Sequence, residues 1–597
     1  VKRTLLVLGT LLLSAPLRAD EGMWLFNRPP NELLKKRYDF TLTDTWLKNA
    51  QRASVRFNNG GSGSFVSPNG LVVTNHHIGA DSILKLSGKG KDLHEDGFYA
   101  PTLADELKCP DLELNVLQEI VDVTKQIKGA VKPEMTPAEA AAARSAATAK
   151  IAKDSQAETG LRSDIVTLYR GAEYHLYRYK KYTDVRLVMA PEHAVAFFGG
   201  DADNFEYPRH DLDVCFFRVY EDGKPAPTPH HFRWSAPGPA EGDLVFVSGH
   251  PGTTNRLETL AHLKHRRDVT LPYLLQLLRQ REALLSQHAL KGPEQKREAQ
   301  KDLFGVANAR KAYTGQYHGL LDPTILATKA ALEKEIRAPI EADPDQDKEF
   351  GGPWGKIAGS LKTLAEFERR YYLVEKGDAF DSLLFRIARH LVRLAADLDL
   401  DDGKRLPEYR STALGSLKIQ LFSPAPISAE LERVKLAGSL AFLAENLGGE
   451  DPFVMKVLAG QSPAQRAADL IADTKLADLA ERKRLFEGGK SAIAKSDDPL
   501  VGLAREIDAE SRQLRQRFRL VDEVQQQSYA GVARAMFDRF GTANAPDATF
   551  SLRLAFGVVK GYAVDGEKLP SATTFAELYA RSAEHGNAEP FRLPKRW

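Results

Sequence analysis

The chain has 597 residues, too many for one ordinary hydrophobic core, so two or three domains are expected. Apolar residues make up 43% and charged residues 27%, the composition of a soluble globular protein and not of a disordered or fibrous one. A net charge of +2 without any Lys/Arg block argues against nucleic acid and anionic membrane as partners.

In chain order, the first element is an export leader. Lys2-Arg3 forms a basic start, Leu5 to Leu13 an apolar run, and Ala19 a small residue before a cut near Asp20. Residues 1–19 therefore read as a signal peptide, with the periplasm as first destination and secretion as second. The apolar run is too short to span a bilayer, and no later stretch qualifies. Only Cys109 and Cys215 are present, too few for a disulfide framework or a structural zinc set.

Residues 50 to about 120 are strand-rich. Phe65-Val66 and Leu71-Val72-Val73 flank the turn chemistry of Ser67-Pro68-Asn69-Gly70, which predicts a hairpin delivering His76-His77 into a loop. A helical excursion near 133–160 follows, opened by the capping box Thr136-Pro137-Ala138-Glu139. Strand character returns at Asp164–Tyr169, Val185–Val188, Asp213–Val219 and Asp243–Val247. From 257 to 545 apolar residues recur at helical spacing, as in Leu383, Leu384, Ile387, Leu391 and Leu394, which predicts one large helical domain. Asp343-Pro344-Asp345 and Gly351 to Gly355 break it. The β signal resumes at Thr549–Leu554, so residues 20–256 and 546–597 read as a β-domain interrupted by a helical insertion.

Chymotrypsin-like serine peptidases place their general base after such a hairpin. A base of this kind needs an acid to fix its tautomer and a hydroxyl within reach. His77 is the preferred base, since it lies further beyond the strand than His76. Asp213, directly before an apolar strand, is the preferred acid. Asp201 and Asp203 sit in a Gly-rich stretch and read as turn formers, and Asp211 is an outside candidate. His230-His231 reads as a surface pair without clustered carboxylates, so no metal and no cofactor are expected.

Several segments together carry a specific resemblance. They are Gly63-Ser64-Phe65 through Asn75-His76-His77, Gly199-Gly200-Asp201-Ala202-Asp203-Asn204-Phe205, Tyr207-Pro208-Arg209-His210, Val247 to Arg256, and Ala307-Asn308-Ala309-Arg310-Lys311. The chain resembles the exported bacterial dipeptidyl-peptidases of the chymotrypsin clan, the dipeptidyl-peptidase 7 and 11 family. The resemblance implies an α+β fold, a chymotrypsin-like double β-barrel with a large inserted α-helical cap. It assigns the triad base to His77 and the acid to Asp213. It assigns Asn204 and Asn308 to the substrate's free α-amino group, with Phe205, where tryptophan is usual, packing beside it. The implied substrates are oligopeptides with a free N-terminus; a monomer and a homodimer both stay open.

Two departures from the family pattern matter. The cysteine that usually follows the histidine is Ile78 here, so Cys109 is expected to be a free buried thiol or to pair with Cys215. The family's nucleophile lies in a Gly-Asn-Ser-Gly-Ser-Pro type segment, and no such segment follows Phe591 to Trp597. Ser64 and Ser248 lack its context. The reading is therefore a serine dipeptidyl-peptidase sequence without its nucleophile, inactive as it stands and with its second barrel incomplete. The alternatives are a catalytically dead peptide-binding protein and an unrelated helical scaffold.

Overall fold

A computed structural model describes residues 22–88, 90–345, 352–541 and 545–597. The expected leader and its cut near Asp20 lie outside the described residues.

The predicted hairpin forms from Ser62–Phe65 and Leu71–Thr74, with Phe65 opposite Val72. Ser67 Oγ accepts from the backbone N–H groups of Asn69 at 3.1 Å and Leu71 at 3.3 Å, which closes the turn. Side chains alternate across the strands, so Phe65 and Val72 turn inward together and are fully buried. The hairpin belongs to an eleven-stranded antiparallel sheet with partners at Ser54–Phe57, Leu114–Asp122, Arg162–Leu168, Glu173–Tyr182, Asp184–Ala190 and Cys215–Glu221. The Phe57 and Phe217 rings meet at 5.9 Å although two strands separate theirs in the pairing order. A flat sheet would hold them about 14 Å apart, so this sheet curls around one core.

Both cysteines lie reduced in that core. Burial raises the Cys109 thiol to about 12 and the Cys215 thiol well above its ordinary value. Thiolates are the reactive form. The native protein is therefore expected to leave both thiols unmodified by a thiol-specific disulfide reagent, and to yield both on denaturation. Rapid labelling of either thiol in the folded chain contradicts this.

A second sheet joins distant parts of the chain. Arg553–Val558 pairs with Leu244–Gly249 on one side and with Trp24–Leu25 on the other. The strand starts four residues later than expected. Phe550 takes a left-handed conformation at φ 55°, so regular extension begins only beyond it. The Arg553 side chain is buried and bonds the carbonyls of Met23, Pro546 and Asp547, tying the segment before Trp24 to the loop that leads into its own strand. The tail is also not purely β. Tyr562–Val564 and Glu567–Leu569 form a small hairpin, and Phe575–Glu584 is a helix that the sequence reading did not anticipate.

In the chain, the helical domain, from Leu260–His265 to Pro499–Phe540, is inserted between the paired strands Leu244–Gly249 and Arg553–Val558 of this second sheet. The helix Leu383–Asp397 buries Leu384, Ile387, Leu391 and Leu394, as their spacing predicts, while Leu383 at its first turn is exposed. The 42-residue helix Pro499–Phe540 is the spine, about 63 Å long. The expected excursion is the helix Pro137–Thr159, capped by Thr136 and Glu139. Arg144 on it makes a bidentate pair with Glu523 on the spine, so the excursion docks onto the helical domain.

Candidate active site

The strand register brings His77 and Asp213 together. Cys215 pairs with Thr74 in antiparallel strands, so the residues just before Cys215 face those just after Thr74. His77 Nδ1 lies 2.6 Å from Asp213 Oδ2, and the His77 backbone N–H donates to Asp213 Oδ1 at 3.0 Å. Asn75 Nδ2 also donates to Asp213 Oδ2 at 3.0 Å. Burial of Asp213 opposes its ionisation, but the bonds from His77 outweigh this and hold the carboxyl below its ordinary value. One correction applies to the local structure. His77 does not stand in a loop: His76 and His77 open the helix His76–Leu86. That first turn fixes the imidazole direction more firmly than a loop would. Gly61 permits the approach, since at φ 103° any Cβ there would strike Ile78.

Asn204 is buried at the end of the short turn Gly200–Asp203. Its Nδ2 donates to Oδ1 of Asn308, which comes from the helical domain on Pro293–Leu321. Arg209 reaches Asn204 Oδ1 at 3.4 Å, and Asp211 pairs with Arg209 at 3.0 Å. Lys311 clamps the same turn through the carbonyl of Asp201. Phe205 does not join this wall. It is 63% exposed at φ 69°, and the phenylalanine rings of the cleft are Phe197 and Phe304. Asp211, the outside candidate, serves Arg209 and leaves His77 to Asp213.

His77, Asp213, Asn204 and Asn308 all line one cleft of about 340 Å³ between the curled sheet and the helical domain. Lys301 of the helical domain bonds Asp81 on the histidine helix and bridges the two walls. Among the described residues, the cleft wall holds no serine, threonine or cysteine. Ser248 is bonded elsewhere, to Ser54 Oγ at 2.7 Å, and Ser64 sits in the strand ladder.

The Peptidase S46 family profile matches residues 19–597. The chain belongs to that family.

Relatives in S46 agree on one kind of chemistry by name. The Asp/Glu-specific dipeptidyl-peptidase of Porphyromonas endodontalis is 27% identical over 91% of this chain and 79% of its own length. That of Shewanella putrefaciens is 28% identical over 100% of this chain and 83% of its own length. Dipeptidyl-peptidase 7 of Phocaeicola vulgatus is 30% identical, but the match spans only 56% of this chain and half of that relative. In structure, Porphyromonas endodontalis DPP11 in complex with the dipeptide Arg-Glu has a TM-score of 0.73 at 23% identity, covering 97% of this chain and 88% of that one. The shared α+β fold with its large helical part is thereby shown.

Sequence reading missed how the last residues of this S46 chain buttress the site. Arg581 makes a bidentate pair with Asp203 at 2.6 and 2.7 Å. Trp597 Nε1 donates to Glu192 at 2.9 Å, Arg596 bonds the same carboxylate, and Phe591 packs on Phe198. Asp203, expected as a turn former, is thus a buried anchor, and Gly199 at φ 78° makes room for its carboxylate. The signal for the supporting helix was present as the Thr574/Glu577 capping box. His230 and His231 bond Asn49 and the Thr228 carbonyl.

Proposed function

We propose that this chain carries the general base, the orienting acid and the amine pocket of an exported serine dipeptidyl-peptidase. His77 removes the proton of an attacking hydroxyl and returns it to the leaving amine. Asp213 holds the Nδ1–H tautomer and stabilises the imidazolium that forms. Asn204 and Asn308 receive the substrate's α-ammonium, since amide oxygens accept hydrogen bonds from it. An amine held at a fixed distance from the base sets the cut two residues in, so peptides with a free N-terminus lose dipeptides. The observation that carries this reading is the convergence of both pairs on one cleft from two domains. The double barrel remains part of the proposal, as does delivery to the periplasm. No helix among the described residues is long and apolar enough to cross a membrane.

The test uses the chain joined to a serine-bearing C-terminal segment. Loss of a hydrogen bond to a charged group costs about 1.5–3 kcal/mol, so Asn204→Ala is expected to lower kcat/KM for free N-termini by roughly ten- to a hundredfold. Parent activity that is equal on N-acetylated and free peptides rules out the amine pocket.

A second reading is peptide capture without turnover by the same Asn204 and Asn308 pocket. Residues 20–597 made alone are expected to release no dipeptide and to remain unlabelled by a fluorophosphonate. Labelling would show a nucleophile already present. Peptide binding without labelling, in a gene product that has no serine-bearing segment, would favour capture.

A further inference from the structure

Behind His77 stand three histidines that the proposed mechanism does not use. His76 opens the histidine helix, His94 lies in the short helix Leu93–Asp96, and His193 opens His193–Ala196. Their positions span more than a hundred residues, yet their rings cluster. The His94 and His193 rings stack at 4.2 Å, and His76 is 5.4 Å from His94 and 6.1 Å from His193. One ring nitrogen from each lies within 4.8 Å of the others. His76 and His94 are each only 2% exposed. His76 Nε2, His94 Nδ1 and His193 Nδ1 are buried without any hydrogen-bond partner. Buried polar atoms are ordinarily satisfied, so three unpartnered ring nitrogens in one cluster call for a shared partner.

The geometry points to a binding site for a divalent transition-metal ion, Zn²⁺ or its analogues, formed by His76, His94 and His193. Imidazole nitrogens suit zinc, cobalt, nickel and copper, and do not suit calcium or magnesium. Zinc–nitrogen bonds of about 2.0–2.1 Å place tetrahedral donors about 3.4 Å apart, so the stacked His94 and His193 rings must turn to take up an ion. The Pro191 carbonyl bonds His76, whose Nε2 is free, so the bond falls on Nδ1. Such a bond fixes the tautomer that leaves Nε2 as the ligand. Asp213 adds a favourable charge near His76, and Lys296 an opposing one near His193. All three histidines line the cleft, so an ion held by them would be reached from it. Three protein ligands with an open position is the pattern of an exchangeable site.

The test is metal binding by the chain itself, without reference to activity. Purified metal-free protein is titrated with Co²⁺ and followed by its visible absorption, then challenged with Zn²⁺. One equivalent of Co²⁺ in a tetrahedral spectrum, displaced by one equivalent of Zn²⁺, is expected. His94→Ala and His193→Asn are expected to weaken binding by at least about tenfold. A double His230→Ala/His231→Ala variant keeps the full equivalent. Circular dichroism shows whether each variant is folded, and the two single variants cover each other if one is not. Absence of a bound equivalent in the parent overturns the site, as does unchanged affinity in the folded variants. Loss of binding only in the double variant assigns the metal to the surface pair and overturns it too.

Discussion

His77→Ala, in a form of the protein that carries a nucleophilic serine, is expected to lower turnover by roughly 10⁴- to 10⁶-fold while leaving KM nearly unchanged. The size follows from what the ring does. It accepts a proton in one step and donates it in the next, and no other described residue of the cleft stands in the same relation to Asp213. His76, its neighbour, cannot replace it: that ring is buried and burial lowers it to about 4. Asp213→Asn is expected to cost on the order of 10⁴, because the amide presents the wrong partner to Nδ1. The Asn75 bond to Asp213 would survive on one side, so the loss reports the imidazole's tautomer and not a collapsed loop. Steady-state kinetics on a dipeptidyl substrate, with circular dichroism as the folding control, decides the matter. Release by His77→Ala within tenfold of the parent removes His77 from the mechanism.

Glu375→Ala is expected to destabilise the helical domain by about 3–5 kcal/mol, the usual cost of stripping one partner from a buried ion pair. The Glu375 carboxylate is nearly buried and receives Arg393 at 2.6 and 3.2 Å, Arg389 at 2.7 Å, Arg515 at 3.3 Å and the Ser511 hydroxyl at 2.6 Å. Burial works against its charge, but these guanidiniums outweigh that and hold it below its ordinary value. The donors come from the helices Leu383–Asp397 and Pro499–Phe540, so one carboxylate ties the spine to its neighbour. Removing it leaves Arg389 and Arg393 crowded together, with Asp508 shared between Arg393 and Arg512 and no bond from it to Arg389. Glu375→Gln keeps the shape without the charge and is expected to lose most of the same stability. The measurement is the urea midpoint of the helical signal. A midpoint shift that, multiplied by the slope, amounts to less than about 1 kcal/mol would show that the cations re-partner or reach water.

Local pattern was enough for the elements that depend on near neighbours. The hairpin at 62–74 follows from alternation around a Pro-Asn-Gly turn, the helix Pro137–Thr159 from its capping box, and Leu383–Asp397 from its apolar stripe. His77, Asp213, Asn204 and Asn308 were legible as a set through the resemblance of their motifs, and the fold brings them to one cleft. Other features have no local signature. Helix formation at His76–Leu86 is set by packing of Gly79 and Ile83 against the strand bearing Cys215 and Phe217. Exclusion of Phe205 depends on backbone conformation at one residue. The pairing of Trp24 with Leu554, the clamp of Arg581 on Asp203 and the meeting of His76, His94 and His193 join residues far apart in the chain. Periodicity records which face of an element is apolar, and it carries no information on which distant face will cover it. That choice is made by the summed burial and by satisfaction of buried polar groups, and it exists only once the chain has folded.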